Sequence, residues 1–257
     1  MTEHSVTGQG APRSRHGRRA GAPAAINLTG IGLYTLPEAS RLTGAKVYSI
    51  RRWLFGYTHT HRDPTTGLVE ARVSPPLWRS QLAGLGEQVI GFHDLLEVRF
   101  VRAFVDAGVD LRIVRAAAST AREILEQDYP FSTKRFMTDG KTIFYRAVGE
   151  GTAELLDLKR RQFAFDAIIK PSLYTGIEFR SDGSAQRWFP MANSKTIVID
   201  PDIAFGKPIL RDYGIPTAVL YEAFRAERKN RARVARLYEI PPGALEAAIR
   251  FEQRLAA

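Results

Sequence analysis

The stretch Ile197–Thr217, "IVIDPDIAFGKPILRDYGIPT", packs three prolines and two glycines between an apolar strand-like run and the start of a helical pattern. Three chemistries can be tested on it. A Walker-type phosphate loop needs Gly-x-x-x-x-Gly-Lys-Ser/Thr, so that backbone amides ring the phosphates and a hydroxyl meets Mg²⁺. Here Pro208 follows Gly206-Lys207 and supplies neither amide hydrogen nor hydroxyl. Asp200 and Asp202 could form an acid–base pair, yet the intervening Pro201 makes a turn in which Asp200 caps backbone amides. The third reading is structural. "TIVID" is a short strand, "IL" at 209–210 a second apolar step, and Pro216 starts a helix with Val219, Leu220, Ala223 and Phe224 inside. Helices from Ala232 and Pro242 follow, giving a three-helix unit with a β-like entry.

Outward from that unit, the 257-residue chain has no apolar run of bilayer length and no secretory leader, so a cytoplasmic, membrane-free protein is expected. Cysteine is absent, which removes disulfides, thiolate metal sites and a cysteine nucleophile. The formal charge of +10 raises the expectation of a polyanionic partner, although a generically basic soluble protein would show the same total. Residues 1–27, with Arg13, Arg15, Arg18 and Arg19 among Gly, Ala and Pro, read as a disordered basic arm.

In "YTLPEASRLTGAKVYSIRRWLFGY", Thr35 and Glu38 form a capping box and Pro37 fits a first turn. Leu36, Ala39 and Leu42 make one apolar face, Gly44 breaks the helix, and a second follows with Val47, Ile50, Trp53 and Leu54 inward. Tyr48, Ser49, Arg51 and Arg52 then point outward as groups competent for bases or phosphates. "THTHRDPTTGLVEARVS" reads as a hairpin turning at Asp63-Pro64 and Gly67. His59 and His61 lack a carboxylate pair, so no metal site is expected. A helix over "FHDLLEVRFVRAFVDAG" ends at Gly108, and another restarts with Asp110 as N-cap. Beyond it, "RFMTDGKTIFYRAV" predicts a hairpin at Asp139-Gly140, "FDAIIKPSLYTG" a helix ending near Pro171, and "IEFRSDGSAQRWFP" a hairpin at Asp182-Gly183. Phe163, Phe165, Trp188 and Phe189 are expected core residues of this segment.

The order helix, turn, helix, hairpin, "SPPLW" and helix pair, over residues 33 to about 127, resembles the winged helix-turn-helix of MerR-like regulators. That resemblance implies DNA contact by Tyr48, Ser49, Arg51 and Arg52 on a recognition helix, with Arg62 and Arg72 on or beside the wing. Residues 196–255 resemble the domain-of-unknown-function family 433, found in VapB-type antitoxins, through "IDP" (199–201), "FGKPIL" (205–210) and "GIP" (214–216). Phe205 stands where that family has the first glycine of Gly-Gly-Lys/Arg-Pro, and Gly214 where it often has Arg. This resemblance implies binding to a small PIN-like ribonuclease toxin, with Lys207 and Arg211 as candidate partner contacts, and repression of the protein's own operon. Glu246 and Glu252 share the last helix with Arg250 and Arg254, a mixed-charge face suited to protein contact or dimerisation.

The expected fold is mainly α with small β elements (α+β). It comprises the arm (1–27), a winged helix-turn-helix (28–128), a β-hairpin/helix segment (129–195) and an antitoxin-like three-helix module (196–257). The expected function is a dimeric, DNA-binding antitoxin without catalysis or cofactor. The alternative is a MerR-like regulator with no toxin partner.

Overall fold

A computed structural model describes residues 28–62, 65–85, 89–149, 171–191 and 193–256, and it is mainly helical with small antiparallel sheets, an α+β fold. The basic arm, Asp63-Pro64, Phe163 and Phe165 lie outside the described residues. Among those described, no helix is long and apolar enough to cross a membrane.

Strand β1 (Tyr34–Thr35) pairs with β4 (Val89–Ile90) and leads into α1 (Leu36–Thr43). The capping box forms as the spacing predicts: Thr35 Oγ1 accepts from the Glu38 amide at 3.3 Å, and Glu38 Oε2 accepts from the Thr35 amide at 2.8 Å. Gly44 sits at φ 73°, in the left-handed region that favours glycine, at the turn into α2 (Val47–Phe55). Ile50, Trp53 and Leu54 of α2 are buried, whereas Val47, expected inward, is partly exposed on the first helical position. The hairpin of β2 (Tyr57–Arg62) and β3 (Val69–Ser74) follows, in unbroken antiparallel register.

Helices α3 (Phe92–Asp106) and α4 (Leu111–Leu125) pack beside this unit, and Asp110 caps α4 through the Arg112 amide at 2.8 Å. One expectation is overturned. Asp139-Gly140 makes no hairpin; both residues lie inside α5 (Lys134–Gly149). Phe136, Gly140, Ile143, Phe144 and Ala147 recur at helical spacing and are all buried. Burial of that stripe outweighs the local turn preference of Asp-Gly. The helix expected to end near Pro171 is described only as α6 (Pro171–Tyr174). The Asp182-Gly183 hairpin is present between β5 (Ile177–Phe179) and β6 (Ala185–Trp188), with Asp182 accepting from the Ser184 amide at 2.8 Å.

A three-stranded antiparallel sheet, β7 (Ile197–Val198), β8 (Ile209–Leu210) and β9 (Ile215–Pro216), introduces α7 (Thr217–Ala226), α8 (Arg231–Leu237) and α9 (Pro242–Ala256). The largest core runs from Tyr34 to Ile199 and centres on phenylalanines packed edge to face, Phe104 against Phe131 at 5.0 Å and against Phe144 at 5.4 Å. A second core joins Ile197, Leu210, Leu220, Phe224, Leu245, Ile249 and Phe251, and a small third joins Phe189, Val198 and Ile209. Ile197, Val198 and Ile199 therefore feed three different cores in succession. Leu42 of α1 packs against both large ones.

Candidate nucleic-acid interface

The buried triad Ile50, Trp53 and Leu54 fixes the rotation of α2, so that Tyr48, Ser49, Arg51 and Arg52 lie on its other side. Tyr48 is exposed, and Ser49, Arg51 and Arg52 are half-buried. Arg52 is held in place rather than loose. Its Nη1 donates to the Tyr48 hydroxyl at 2.9 Å, one turn back, and its guanidinium lies 3.4 Å from the centroid of the Tyr57 ring. Hydrogen bonding to Ser74, then to Arg52, lowers the Tyr57 phenol below its ordinary range. Tyr57 is the first residue of β2, so this contact ties the exposed side of α2 to the base of the hairpin.

The hairpin register separates the two arginines assigned to it. Arg72 lies opposite His59, on the face that also holds Tyr57, His61 and Glu70, and pairs with Glu70 at 3.9 Å. Arg62 lies opposite Val69, on the other face, with Ala71 and Val73. Only the Arg72 face continues the surface that Arg52 and Tyr57 begin. The other face leaves Val69 and Val73 exposed.

Sequence reasoning missed the groups that brace this surface. After β3 the chain passes Pro75–Leu82 under a set of clamps. Arg115 Nη1 donates to the Pro75 carbonyl at 2.7 Å and to the Pro76 carbonyl at 3.1 Å, and Arg122 Nη1 donates to the Leu77 carbonyl at 2.7 Å. The Leu77 amide donates to the Trp53 carbonyl of α2 at 2.7 Å. Asp94, fully buried, accepts four bonds: from Trp78 Nε1 and Ser80 Oγ at 2.8 Å, and from the Gln81 and Gly91 amides at 3.0 Å. Burial raises its pKa, and those four donors oppose the rise. The seven-residue spacing of Arg115 and Arg122, which places both on one face of α4, was the available signal.

The second assigned contact set lies at the Gly-Lys-Pro loop. Lys207 Nζ donates to Glu38 Oε1 at 2.6 Å, so the capping-box carboxylate of α1 also anchors this loop. The Leu33 amide donates to the Phe205 carbonyl at 2.9 Å, and the Tyr34 hydroxyl to the Gly206 carbonyl at 2.8 Å. Burial, with Glu38 and Asp200 nearby, pushes the Tyr34 phenol far above its ordinary range and keeps the donor protonated. Ala204, Phe205 and Gly206 are all left-handed, at φ 49°, 53° and 75°. Arg211 is exposed and pairs with Asp212 at 2.8 Å.

Residues 197–251 match the family described as "Protein of unknown function (DUF433)". A DUF433 domain is therefore present. It includes the loop just described, and Phe205 takes a left-handed conformation that glycine adopts without a Cβ clash. The chain is also 25% identical, over 230 residues, to a Mycobacterium tuberculosis (strain ATCC 25618 / H37Rv) protein named "Putative antitoxin VapB45", covering 85% of this chain and 93% of that protein. The crystal structure of Rv2018 from Mycobacterium tuberculosis shares the fold, with a TM-score of 0.60 over 86% of this chain and 98% of that chain, at 19% identity.

Proposed function

We propose that the protein is a DNA-binding antitoxin of a type II toxin–antitoxin system. In this reading it neutralises a co-encoded PIN-like ribonuclease by direct binding and, as a homodimer, represses its own operon. The carrying observation is the similarity to a protein named as an antitoxin, which runs through nearly the whole of both chains rather than through the DUF433 domain alone.

The geometry supports the DNA-binding half of the reading. Helices α1 and α2 are split by a glycine turn and followed by a hairpin, the arrangement of a winged helix-turn-helix. Tyr48, Ser49, Arg51 and Arg52 would enter the major groove, and Arg72 would meet backbone beside it. Arg62, on the far face of the hairpin, would reach only around its edge. For the toxin, Arg211 is the exposed candidate contact, while Lys207 would have to exchange Glu38 for a partner group.

The test is a tagged pull-down from the native host, with nuclease present and a high-salt wash, followed by mass spectrometry. The expected result is a small co-purifying protein encoded next door, with ribonuclease activity when isolated. Recovery of a homodimer alone, with binding to its own promoter, would sink the antitoxin reading and leave a plain regulator.

A further inference from the structure

The end of α7, the turn after it and α8 concentrate basic charge. Between Arg225 and Arg236 there are six basic residues, Arg225, Arg228, Lys229, Arg231, Arg233 and Arg236, against one acid, Glu227. All six are exposed. Of the acids on α9, Glu246 tempers one of these charges by pairing with Arg231 at 2.9 Å, while Glu252 is engaged elsewhere, accepting from the Thr217 hydroxyl at the start of α7.

Arg225 is matched by Glu222, Arg231 by Glu246 and Arg233 by Glu227. Arg228, Lys229 and Arg236 form no ion pair among the described residues. Arg228 and Lys229 occupy consecutive left-handed positions, φ 52° and 66°, in the turn between α7 and α8. The Lys229 amide closes α7 on the Phe224 carbonyl at 2.8 Å, and Asn230 caps α8 through the Arg233 amide at 3.0 Å. The turn is thus held by its own hydrogen bonds, and the basic side chains are not needed to hold it.

We infer that the turn Arg228–Lys229 and the exposed side of α8 at Arg236 form a second, sequence-independent contact for the phosphate backbone of duplex DNA. Three unneutralised cations on a hydrogen-bonded scaffold suit a polyanion, because each phosphate neutralised releases condensed counterions. The proposed contact is with phosphates alone, so it adds affinity and salt dependence without selecting sequence. The inference takes DNA as the polyanion from the proposed function, but uses residues on a different element from α2 and the hairpin.

The test measures binding of the full chain to two duplexes of about 40 base pairs, long enough for both surfaces. One is the chain's own upstream region and the other an unrelated sequence, each titrated by fluorescence anisotropy across a range of salt. The variant Arg228→Gln/Lys229→Gln/Arg236→Gln should lose affinity for both duplexes by the same factor. Its log–log salt slope should become shallower by about 2.7, at about 0.9 per phosphate contact. Glu227→Gln, which removes the one acid in the cluster, should shift affinity the opposite way on both duplexes.

An unchanged slope in a triple variant that keeps wild-type circular dichroism overturns the inference. If that happens while wild type still prefers its own duplex, the α2 reading survives. If wild type prefers neither duplex yet the slope falls in the triple variant, the second surface stands and sequence reading by α2 is lost. Wild type that binds neither duplex overturns both.

Discussion

The Gly-Lys-Pro loop makes opposite predictions at neighbouring residues. At Gly206 an added Cβ would lie 2.2 Å from the Tyr34 hydroxyl oxygen and 3.0 Å from its ring carbon. Tyr34 is fully buried in the largest core, so the ring has little room to yield. Gly206→Ala therefore incurs the left-handed backbone cost, about 1–2 kcal/mol. It also displaces the hydroxyl from the Gly206 carbonyl, worth about 1 kcal/mol or more once the acceptor is left unpaired. The sum is about 2–4 kcal/mol, or about 4–16 °C in melting temperature for a chain of this size. Phe205→Gly should do the reverse. Phe205 is 60% exposed and left-handed, so glycine relieves strain at little loss of burial, and stability should hold or rise by up to about 1 kcal/mol. Urea unfolding, followed by tryptophan fluorescence and far-ultraviolet circular dichroism together, reads both changes. The double variant Gly206→Ala/Tyr34→Phe isolates the clash, because deleting the hydroxyl removes the atom the new methyl would strike. Its cost should fall below the sum of the single costs by more than about 0.5 kcal/mol. Strict additivity, or a Gly206→Ala variant as stable as wild type, would refute the packing account of this loop.

Three further outcomes follow from the same structure. Asp94→Ala strands the Trp78 and Ser80 donors and two amides, and should cost about 3–5 kcal/mol in urea unfolding; a cost below about 1 kcal/mol would mean those bonds are not held in solution. For Glu38, burial acts to raise the pKa, but bonds from Lys207 and Thr35 bring it below the ordinary 4.5. A depressed acid stabilises the fold above its unfolded pKa and loses that contribution as pH falls through the lower folded value. Wild type should therefore lose more stability than Glu38→Gln when acidified below about pH 4.5, and parallel pH curves would exclude the linkage. Arg52→Ala should weaken operator binding about tenfold to a hundredfold while the fold stays intact, with about 1 kcal/mol of stability lost through the Tyr48 and Tyr57 contacts; unaltered affinity would remove Arg52 from the interface.

Much of this architecture was legible in local residue chemistry. Thr35 and Glu38 announce α1, Asp110 announces α4, and Asp182-Gly183 announces the β5–β6 hairpin, because each signal is satisfied by bonds within a few residues. Asp139-Gly140 carries the same letters as a turn yet lies in a helix, since Phe136, Ile143 and Phe144 gain more from burial beside Phe104 and Phe131 than the turn would return. The exposed side of α2 could be read because its buried side is periodic. The braces were not legible: Asp94 finds Trp78 and Ser80 across a loop, and Lys207 finds Glu38 from 169 residues away. Those partnerships depend on tertiary packing, which no local pattern encodes. Nor did strand alternation, read only as a hairpin, separate Arg62 from Arg72 until the register was known.

Ile197, Val198 and Ile199 set a limit on how this chain can vary in length. Trp188 and Ile199 exchange amide bonds at 2.8 and 2.9 Å, while Ile197 lies opposite Leu210 in the next sheet pair, so the strand is gripped from both sides. One residue inserted there would turn each of the three side chains toward a core shaped for its neighbour. Deletion would do the same in the other direction. Loops elsewhere can lengthen at modest entropic cost, but this junction counts residues. Any recombinant that exchanges the DUF433 domain must carry the crossover upstream of Trp188, so that the strand and both of its partners come from one parent.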